Sequence, residues 1–363
     1  ILRALKRFQE ALVATDKAIS LDETNSQAWL NMGAIFRDLH NLEMASYANE
    51  RALKLSPNSS DAWFNKALIL SDLLKNSDAL LAYEKAKELG STSNYLDGNL
   101  ITLRMYLANW EQVEEELQSL LHKLKVGRHV AMPFTLLSLI DEPEVHLAAS
   151  RLFIGKTTEN IATPMRALSH SHQKIRIGYF SSDFREHPVG MLIGGVIDEH
   201  DRNQFEVYGF SLRASKNGDV FRERLVKSFD NFFHCEELSD KEIVARALEC
   251  EIDIAIDLNG HTEDGRPSIF ALGLAPIQIN YLGYPGSMGA NFMDYIIADK
   301  TIIPNDSHQF YTEKVAYLPN SYLMYDSTQK VNPGMPTRVE LGLPTNTFVF
   351  CGFNNGYKIS KEV

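Results

Sequence analysis

Two histidines that each follow a short apolar run are the residues best suited to chemistry in this sequence. His187 ends the segment K-I-R-I-G-Y-F-S-S-D-F-R-E-H and is followed by Pro188, whereas His261 ends the segment I-A-I-D-L-N-G-H, which also contains Asp257 and Gly260. An imidazole titrates near neutral pH, so it can move a proton or hydrogen-bond a phosphate or hydroxyl group. The two segments therefore predict a site for proton transfer or for binding a polar ligand.

A third motif, G-Y-P-G, follows the apolar run I-Q-I-N-Y-L. Its residues are Gly283, Tyr284, Pro285 and Gly286. A glycine has no side chain, so a ligand can approach its backbone closely. The carboxyl ends of parallel strands open on one edge of a sheet, which is where ligands bind in open α/β folds. We therefore expect both imidazoles and the G-Y-P-G turn on one rim.

The same histidines, together with Asp257, are also possible metal ligands, but their spacing argues against a metal site. No pair has the helical or C-x-x-C-like spacing that is typical of metal ligands. The three cysteines, Cys235, Cys250 and Cys351, are far apart and form neither a zinc pattern nor a disulfide framework. We predict no metal and no cofactor, and cysteines used in this way suit a reducing, cytoplasmic location.

The elements that must position these motifs alternate between strand and helix from Lys174 onward. Short apolar runs are separated by amphipathic segments, as in a series of βαβ units. Pro188, whose φ suits a first helical turn, marks the start of the helix after the first run. The pattern predicts a doubly wound parallel sheet over residues 174–325. No G-x-G-x-x-G fingerprint of dinucleotide binding follows its first strand.

The first third of the chain carries a 34-residue repeat. Trp29 and Trp63 are 34 residues apart, and small residues recur at the same offset, which is typical of the paired amphipathic helices of tetratricopeptide (TPR) repeats. Such repeats stack into a superhelix whose concave face binds extended peptides. We predict helical repeats over residues 1–125. Asn31 and Asn65, two residues after each tryptophan, are candidates for hydrogen bonds to a peptide backbone.

Two further segments complete the predicted organisation. Residues 126–173 are predicted to form a helical linker, and residues 326–363 a connection followed by the first strand of another domain. That strand is the run T-F-V-F-C-G-F, and Lys358 lies just beyond it. A lysine in such a place can face a phosphate group. The predicted fold class is α + α/β, a helical superhelix followed by a parallel sheet domain.

Composition excludes two classes of partner. The 363 residues carry a formal net charge of −11, which argues against non-specific binding to nucleic acid. No apolar run reaches the roughly 18 residues that a membrane-spanning helix needs. We therefore predict neither a nucleic-acid partner nor a membrane partner.

The ordered motifs resemble the O-linked N-acetylglucosamine transferase family, including its bacterial members, over nearly the whole chain. The repeats precede K-I-R-I-G-Y-F-S-S-D-F-R-E-H-P, D-L-N-G-H-T, A-P-I-Q-I-N-Y-L-G-Y-P-G-S-M-G, F-M-D-Y-I-I-A-D and F-N-N-G-Y-K-I. The resemblance implies a GT-B glycosyltransferase with a Rossmann-like sheet. It would move N-acetylglucosamine from UDP-GlcNAc to serine or threonine hydroxyls of proteins, with inversion and without a required metal. Acceptor proteins would bind the concave face of the repeats, and repeats of this kind can form homo-oligomers.

The resemblance also implies residue roles. His187 matches the active-site histidine, either a base or a group that positions donor and acceptor, and Lys358 matches the lysine that stabilises the UDP diphosphate. His261 would be a third catalytic residue; it follows the bacterial and plant pattern, where animal members have Tyr. Asn355 stands where animal members carry Gln. The predicted substrate-binding residues are Pro188, Asp257, Gly260, Gly283, Tyr284, Pro285, Gly286, Asn355 and Tyr357.

Two alternatives remain open on the sequence. The plant protein O-fucosyltransferases share much of the architecture, although the G-S-M-G loop and the His-Pro pair favour the N-acetylglucosamine branch. A non-catalytic TPR scaffold is the other alternative, and the joint presence of His187, His261 and Lys358 argues against it. The second Rossmann-like half of the family would follow Val363, so we expect this fragment to be inactive alone.

Overall fold

The fold is described from a computed structural model of the protein. It describes residues 2–3, 7–159, 161, 172–328, 334–352, 355–359 and 361. These residues belong to two compact units, the first comprising residues 1–141 and 354–363 and the second comprising residues 142–353. Within the described ranges, no helix is both long enough and apolar enough to cross a membrane.

Helix pairs fill the first unit. They are α1 (Phe8–Leu21), α2 (Ser26–Asp38), α3 (Leu42–Leu55), α4 (Ser60–Asp72), α5 (Asn76–Glu88), α6 (Leu96–Tyr106), α7 (Val113–Lys125) and α8 (Pro133–Leu136). Helices α2 and α4 begin 34 residues apart, and so do α3 and α5. The structure therefore confirms a helical-repeat region with the period that the tryptophans predicted.

Local sequence explains where these helices begin. The side chains of Asn25, Asn41 and Ser59 each accept a backbone N–H at the start of the next helix, as good N-cap residues do. The two tryptophans play the same part in successive repeats. Trp29 Nε1 donates to Glu23 O, and Trp63 Nε1 donates to the carbonyl oxygen six residues before it, so each ring ties its helix to the preceding turn.

The second unit contains α9 and a seven-stranded sheet with its helices. The strands are β1 (Ile175–Ser181), β2 (Phe205–Ser211), β3 (Asn231–His234), β4 (Ile254–Asp257), β5 (Ile277–Asn280), β6 (Tyr295–Ala298) and β7 (Lys314–Tyr317). The helices are α9 (Pro143–Thr157), α10 (Pro188–Asp198), α11 (Val220–Ser228), α12 (Asp240–Glu249) and α13 (Pro267–Ala271), with a 3₁₀ helix at Asn305–Phe310.

All seven strands are parallel, in the order β3-β2-β1-β4-β5-β6-β7. The direction of strand addition reverses between β1 and β4, which makes this pair the topological switch point where ligands bind in such sheets. The loops after β1 and β4 are the ones that carry His187 and His261. The predicted α + α/β fold class is therefore confirmed, and the sheet places both motifs beside its switch point.

Apolar side chains cover both faces of the sheet. Ile177 and Val207 pack with Ile193 of α10 on one face, and all three are buried. On the other face Phe180 and Phe210 stack with ring centroids 4.3 Å apart. Burial of strands on both faces explains why they appear in the sequence as continuous apolar runs.

The structure divides the chain differently from the prediction in two places. Helix α9, within the predicted linker 126–173, groups with the sheet unit, so the division falls at residues 141/142. The run T-F-V-F-C-G-F contains no strand in its described residues 347–352, where Phe348 and Phe350 are 80% and 90% exposed. A strand needs a neighbouring strand to complete its hydrogen bonds, and no described strand pairs with these residues.

We predict that the small residues between repeat helices are required for close packing. Ala82 in α5 is 2% exposed within the α4–α6 core, so Ala82→Leu should lower the free energy of unfolding by about 1–3 kcal/mol through overpacking. Urea unfolding followed by circular dichroism measures the change. Leu81→Ala is the control because Leu81 is 64% exposed, and its effect should stay within about 0.5 kcal/mol. Equal effects of the two substitutions would contradict the prediction.

Candidate active site

The loop after β1 delivers His187 to the first turn of α10. His187 is the N-cap residue of this helix, with an extended backbone, and its Nδ1 accepts the N–H of Val189 at 3.3 Å. Pro188 suits the first helical position because it lacks an N–H donor, and it keeps the residue before it extended. The His187 side chain is 34% exposed, so the local sequence holds this imidazole at an open edge of the sheet.

Gly190 allows α10 to approach this loop closely. A Cβ atom at Gly190 would lie 2.4 Å from the carbonyl oxygen of Arg185 and 2.7 Å from that of Asp183. Real Cβ atoms do not approach backbone oxygens so closely, so any larger residue would push the helix away from the loop. The position of the His187 ring therefore depends on a glycine three residues after it.

Asp183 is the buried carboxylate closest to His187. Its Oδ1 lies 3.6 Å from His187 Nδ1 and accepts a hydrogen bond from Arg185 Nη2 at 3.0 Å. Its Oδ2 accepts from the side-chain amide of Asn259 at 2.9 Å. The Asn259 amide also donates to Ser182 Oγ at 2.7 Å and accepts the N–H of Ser182 at 2.8 Å. Asn259 thus ties the loop after β4 to the loop after β1.

The charge state of His187 follows from these contacts. Burial lowers the pKa of the imidazole; the nearby Asp183 carboxylate raises it in part, whereas Arg185 and Arg213 lower it. The net pKa is below its ordinary value, so the ring is neutral at neutral pH. Because Nδ1 accepts the N–H of Val189, we assign the proton of the neutral ring to Nε2, which makes Nε2 a hydrogen-bond donor.

The prediction that both imidazoles are exposed on one rim is wrong for His261. This side chain is 1% exposed, and its ring centroid lies 4.9 Å from those of Phe153 and Tyr284. Its Nε2 lies 3.0 Å from the carbonyl oxygen of Met288, and burial lowers its pKa to about 4. The physical reason is α9, which was predicted as linker and instead supplies Phe153 to cover the ring. His261 is therefore a packed group in this structure.

The G-Y-P-G turn is also packed more tightly than predicted. Tyr284 is fully buried and its hydroxyl lies 3.1 Å from Ser150 Oγ of α9. A Cβ atom at Gly283 would lie 2.1 Å from the carbonyl oxygen of Leu258, so this glycine lets two strand ends approach each other. Gly286 is buried as well, whereas Gly283 and Pro285 are partly exposed. The two glycines thus allow close packing within the protein, whereas the sequence had suggested that they leave room for a ligand.

Glu313, which was not among the predicted site residues, holds the loop after the G-Y-P-G turn. This carboxylate is 5% exposed and accepts hydrogen bonds from Ser287 Oγ at 2.7 Å and from the N–H of Met288 at 2.6 Å. A single acidic residue before a strand gives no signal in a pattern of residue types. Asn259 was visible in the D-L-N-G-H-T motif, but its link to Asp183 depends on the strand order.

The predicted phosphate-binding residues lie in the first unit. Asn355 and Lys358 are exposed, Tyr357 is half-buried, and residues Gly356–Lys358 form a 3₁₀ helix. The Tyr357 ring centroid lies 5.0 Å from that of Tyr106, and Lys358 Nζ lies 6.0 Å from the centroid of the Tyr357 ring. Their roles stay predictions.

The predicted peptide-binding residues occupy equivalent places on α2 and α4. Asn31 is exposed and accepts a hydrogen bond from Gln27, whereas Asn65 is half-buried. Their role also stays a prediction. Within the described part of the chain, no three His, Cys, Asp or Glu side chains are grouped so that they could hold a metal ion.

Comparisons with known proteins match this region. The profile described as glycosyl transferase family 41 matches residues 153–334, half of the chain. A protein of Arabidopsis thaliana named probable UDP-N-acetylglucosamine-peptide N-acetylglucosaminyltransferase SEC is 35% identical over 222 residues, which are 60% of this chain and 22% of that protein. A Caenorhabditis elegans protein named UDP-N-acetylglucosamine-peptide N-acetylglucosaminyltransferase is 39% identical over 158 residues, which are 43% of this chain and 14% of that protein.

The fold is similar to a solved structure. A mutant of Thermobaculum terrenum O-GlcNAc transferase matches with a TM-score of 0.65 and 25% identity, over 82% of this chain and 58% of that chain. The chain thus spans little more than half of that structure and at most 22% of the two curated relatives named above.

We predict that the Asp183 carboxylate raises the pKa of His187 and so offsets part of the effect of burial. The pKa of His187 should lie below its ordinary value of about 6.5, because burial disfavours the charged ring. Asp183→Asn should lower that pKa further, since it removes the carboxylate that favours the imidazolium. Titration of the histidine ring signals by NMR measures both effects, and the ¹⁵N shifts report which nitrogen carries the proton. Glu186→Gln, which removes an adjacent exposed carboxylate, should leave the pKa nearly unchanged. A rise in Asp183→Asn would contradict the assignment.

Proposed function

Since the chain belongs to glycosyl transferase family 41, we propose that the protein moves N-acetylglucosamine from UDP-GlcNAc to serine or threonine hydroxyls of acceptor proteins. The proposal is supported by the family match over residues 153–334 and by the relatives named for this activity. The observation that carries it is the place of His187. It is a neutral, partly exposed imidazole beside the switch point of a parallel sheet, and two loops hold it in place.

The transfer reaction sets out what the site must do. The acceptor hydroxyl oxygen forms a bond to the anomeric carbon, and the bond from that carbon to the diphosphate oxygen breaks with its electron pair remaining on UDP. The hydroxyl proton is released at the same time. A hydroxyl is a poor nucleophile, so the reaction depends on holding donor and acceptor in line, and on donors that stabilise the charge on the leaving diphosphate.

We propose that His187 acts in this reaction as a positioning donor and not as the base. Nε2–H of the neutral ring can donate to an oxygen of the donor or acceptor substrate. A base at Nε2 would need the ring proton on Nδ1, but Nδ1 already accepts the N–H of Val189. The 3.6 Å between Nδ1 and Asp183 Oδ1 is longer than a hydrogen bond, which also favours the donor role.

We also propose that Lys358 stabilises the UDP diphosphate, with Asn355 and Tyr357 beside it. Lys358 is exposed, and no ion pair to it occurs among the described residues, so its charge is available to an anion. A fixed cation near a leaving diphosphate lowers the energy of the transition state because negative charge grows there as the bond breaks.

The finer features of the protein are proposals as well. The repeats are of the TPR type, which their 34-residue period supports, and acceptor proteins bind along their concave face, where Asn31 and Asn65 contact the peptide backbone. The protein works in the cytoplasm, which is supported by three cysteines that are all free.

Transfer of radiolabelled sugar from UDP-GlcNAc to an acceptor protein tests the proposal, with the natural protein at full length. His187→Ala should lower kcat/KM by about 10- to 100-fold, the loss expected when a hydrogen bond to a charged group is removed. His122→Ala, which removes an exposed histidine of α7, should leave the rate unchanged. No incorporation with any variant would favour a non-catalytic scaffold, and preferential use of GDP-fucose in competition would overturn the donor assignment.

A further variant, compared with His187→Ala, separates the donor role from the base role. His187→Gln keeps an N–H donor at a similar reach but cannot accept a proton at neutral pH. If His187 is a positioning donor, His187→Gln should retain at least about a tenth of the wild-type rate, a loss of no more than about 1.4 kcal/mol in transition-state stabilisation. A rate for His187→Gln as low as that of His187→Ala, with both below about a tenth of the wild-type rate, would contradict the donor role.

A further inference from the structure

Two neighbouring buried side chains at the carboxyl ends of β4 and β5 each leave one hydrogen-bond acceptor without a donor. Asp257 and Asn280 are opposed in the register of these parallel strands, so their side chains lie on the same face of the sheet. They are 1% and 0% exposed. Within the described residues, Asp257 Oδ2 and Asn280 Oδ1 are both buried without a hydrogen-bond partner.

The other polar atoms fix the orientation of each group. Asp257 Oδ1 accepts two backbone N–H groups of the D-L-N-G-H-T loop, at 2.9 and 3.0 Å. Asn280 Nδ2 donates to two carbonyl oxygens of the G-Y-P-G turn, at 3.0 and 3.3 Å. Reversal of the Asn280 amide would turn its oxygen towards those carbonyl oxygens. The unpaired atom of Asn280 is therefore an acceptor, like the unpaired atom of Asp257.

A proton on one of these two acceptors would provide the missing donor. A buried ionised carboxylate with an unpaired oxygen is costly and takes up a proton when no cation compensates it. We propose that Asp257 is protonated in the folded protein at mildly acidic pH and donates a hydrogen bond from Oδ2 to Oδ1 of Asn280. The two residues then form a positioning pair that joins the D-L-N-G-H-T loop to the G-Y-P-G turn. This proposal does not depend on the transfer reaction.

The groups around Asp257 are compatible with a neutral acid. The titratable side chains that follow the neighbouring strand ends include Asp183 after β1, His261 after β4, and Tyr281 and Tyr284 after β5. Among the described residues none of them forms an ion pair with Asp257, and His261 and Tyr284 are themselves kept neutral by burial. Burial raises the pKa of Asp257 to about 6 although its two backbone donors lower it. A hydrogen bond donated by the protonated acid favours that form further.

Asp299 provides an internal comparison in the same sheet. It follows β6 directly, and its Oδ1 accepts the N–H groups of the second and third residues after it, as Asp257 Oδ1 does. Its Oδ2 differs, because it accepts the N–H of Tyr322 at 2.8 Å. With both oxygens paired to donors, the pKa of Asp299 is lowered. The two carboxyl groups should therefore titrate in opposite directions from their ordinary value.

NMR titration of the side-chain carboxyl carbons of Asp-labelled wild-type protein tests the proposal, and substitutions serve only to assign the signals. We expect Asp257 to ionise with a midpoint at or above about pH 6, and Asp299 with a midpoint below the ordinary value of about 3.9. Spectra of Asp257→Asn and Asp299→Asn assign the two signals. Ionisation of Asp257 near the ordinary value would overturn the proposal.

Stability as a function of pH gives an independent test. Asp257→Asn keeps an acceptor for the two backbone N–H groups and replaces the O–H donor by an N–H donor, so it should fold. Between about pH 4 and 6, the unfolding equilibrium constant of wild type should rise about tenfold per pH unit relative to that of this variant. The reason is that only the folded state retains the proton in this range, so a rise in pH favours unfolding. Relative to Asp299→Asn, wild type should instead gain stability as pH rises through the lowered pKa of Asp299. A pH-independent difference for Asp257→Asn would contradict the proposal.

Discussion

The side-chain amide of Asn259 is the interaction on which the geometry of the site depends. It lies at the switch point of the sheet and bonds to both Ser182 and Asp183, so it sets the distance between the loops after β1 and β4. Each of these groups is buried, and an unpaired buried polar group costs about 1–3 kcal/mol. Separating the loops would therefore cost free energy twice, because the hydrogen bonds would break and the buried polar groups would be left unpaired. The position of His187 follows from this constraint.

Helix α9 determines which of the two histidines is exposed. It packs against the G-Y-P-G turn through Ser150 and covers His261 through Phe153. No element covers His187 in the same way within the described part of the second unit, and its side chain keeps a third of its exposure. Two imidazoles at equivalent strand ends therefore differ in exposure, because one is enclosed by a helix that precedes the sheet in the chain.

The sequence contained enough information for the fold but only for part of the site. Strand runs such as Ile175–Ser181 are apolar on both faces, so a doubly wound parallel sheet could be inferred, and Pro188 marked the start of α10. The enclosure of His261 could not be inferred, because it depends on where α9 packs. The strand expected in residues 347–352 shows the same limit, since apolar alternation does not reveal whether a neighbouring strand exists.

The polar residues beneath the site explain why its loops can be both rich in glycine and well defined. Glycine-rich loops lose much conformational entropy when they become ordered, so they need specific bonds to hold them. Here buried carboxyl and amide groups supply those bonds: Glu313 holds the loop after G-Y-P-G, and Asn280 holds the turn itself. Because these groups are buried, none of them is available to a substrate. His187, which the same network holds in place, differs from these groups because its ring stays partly exposed.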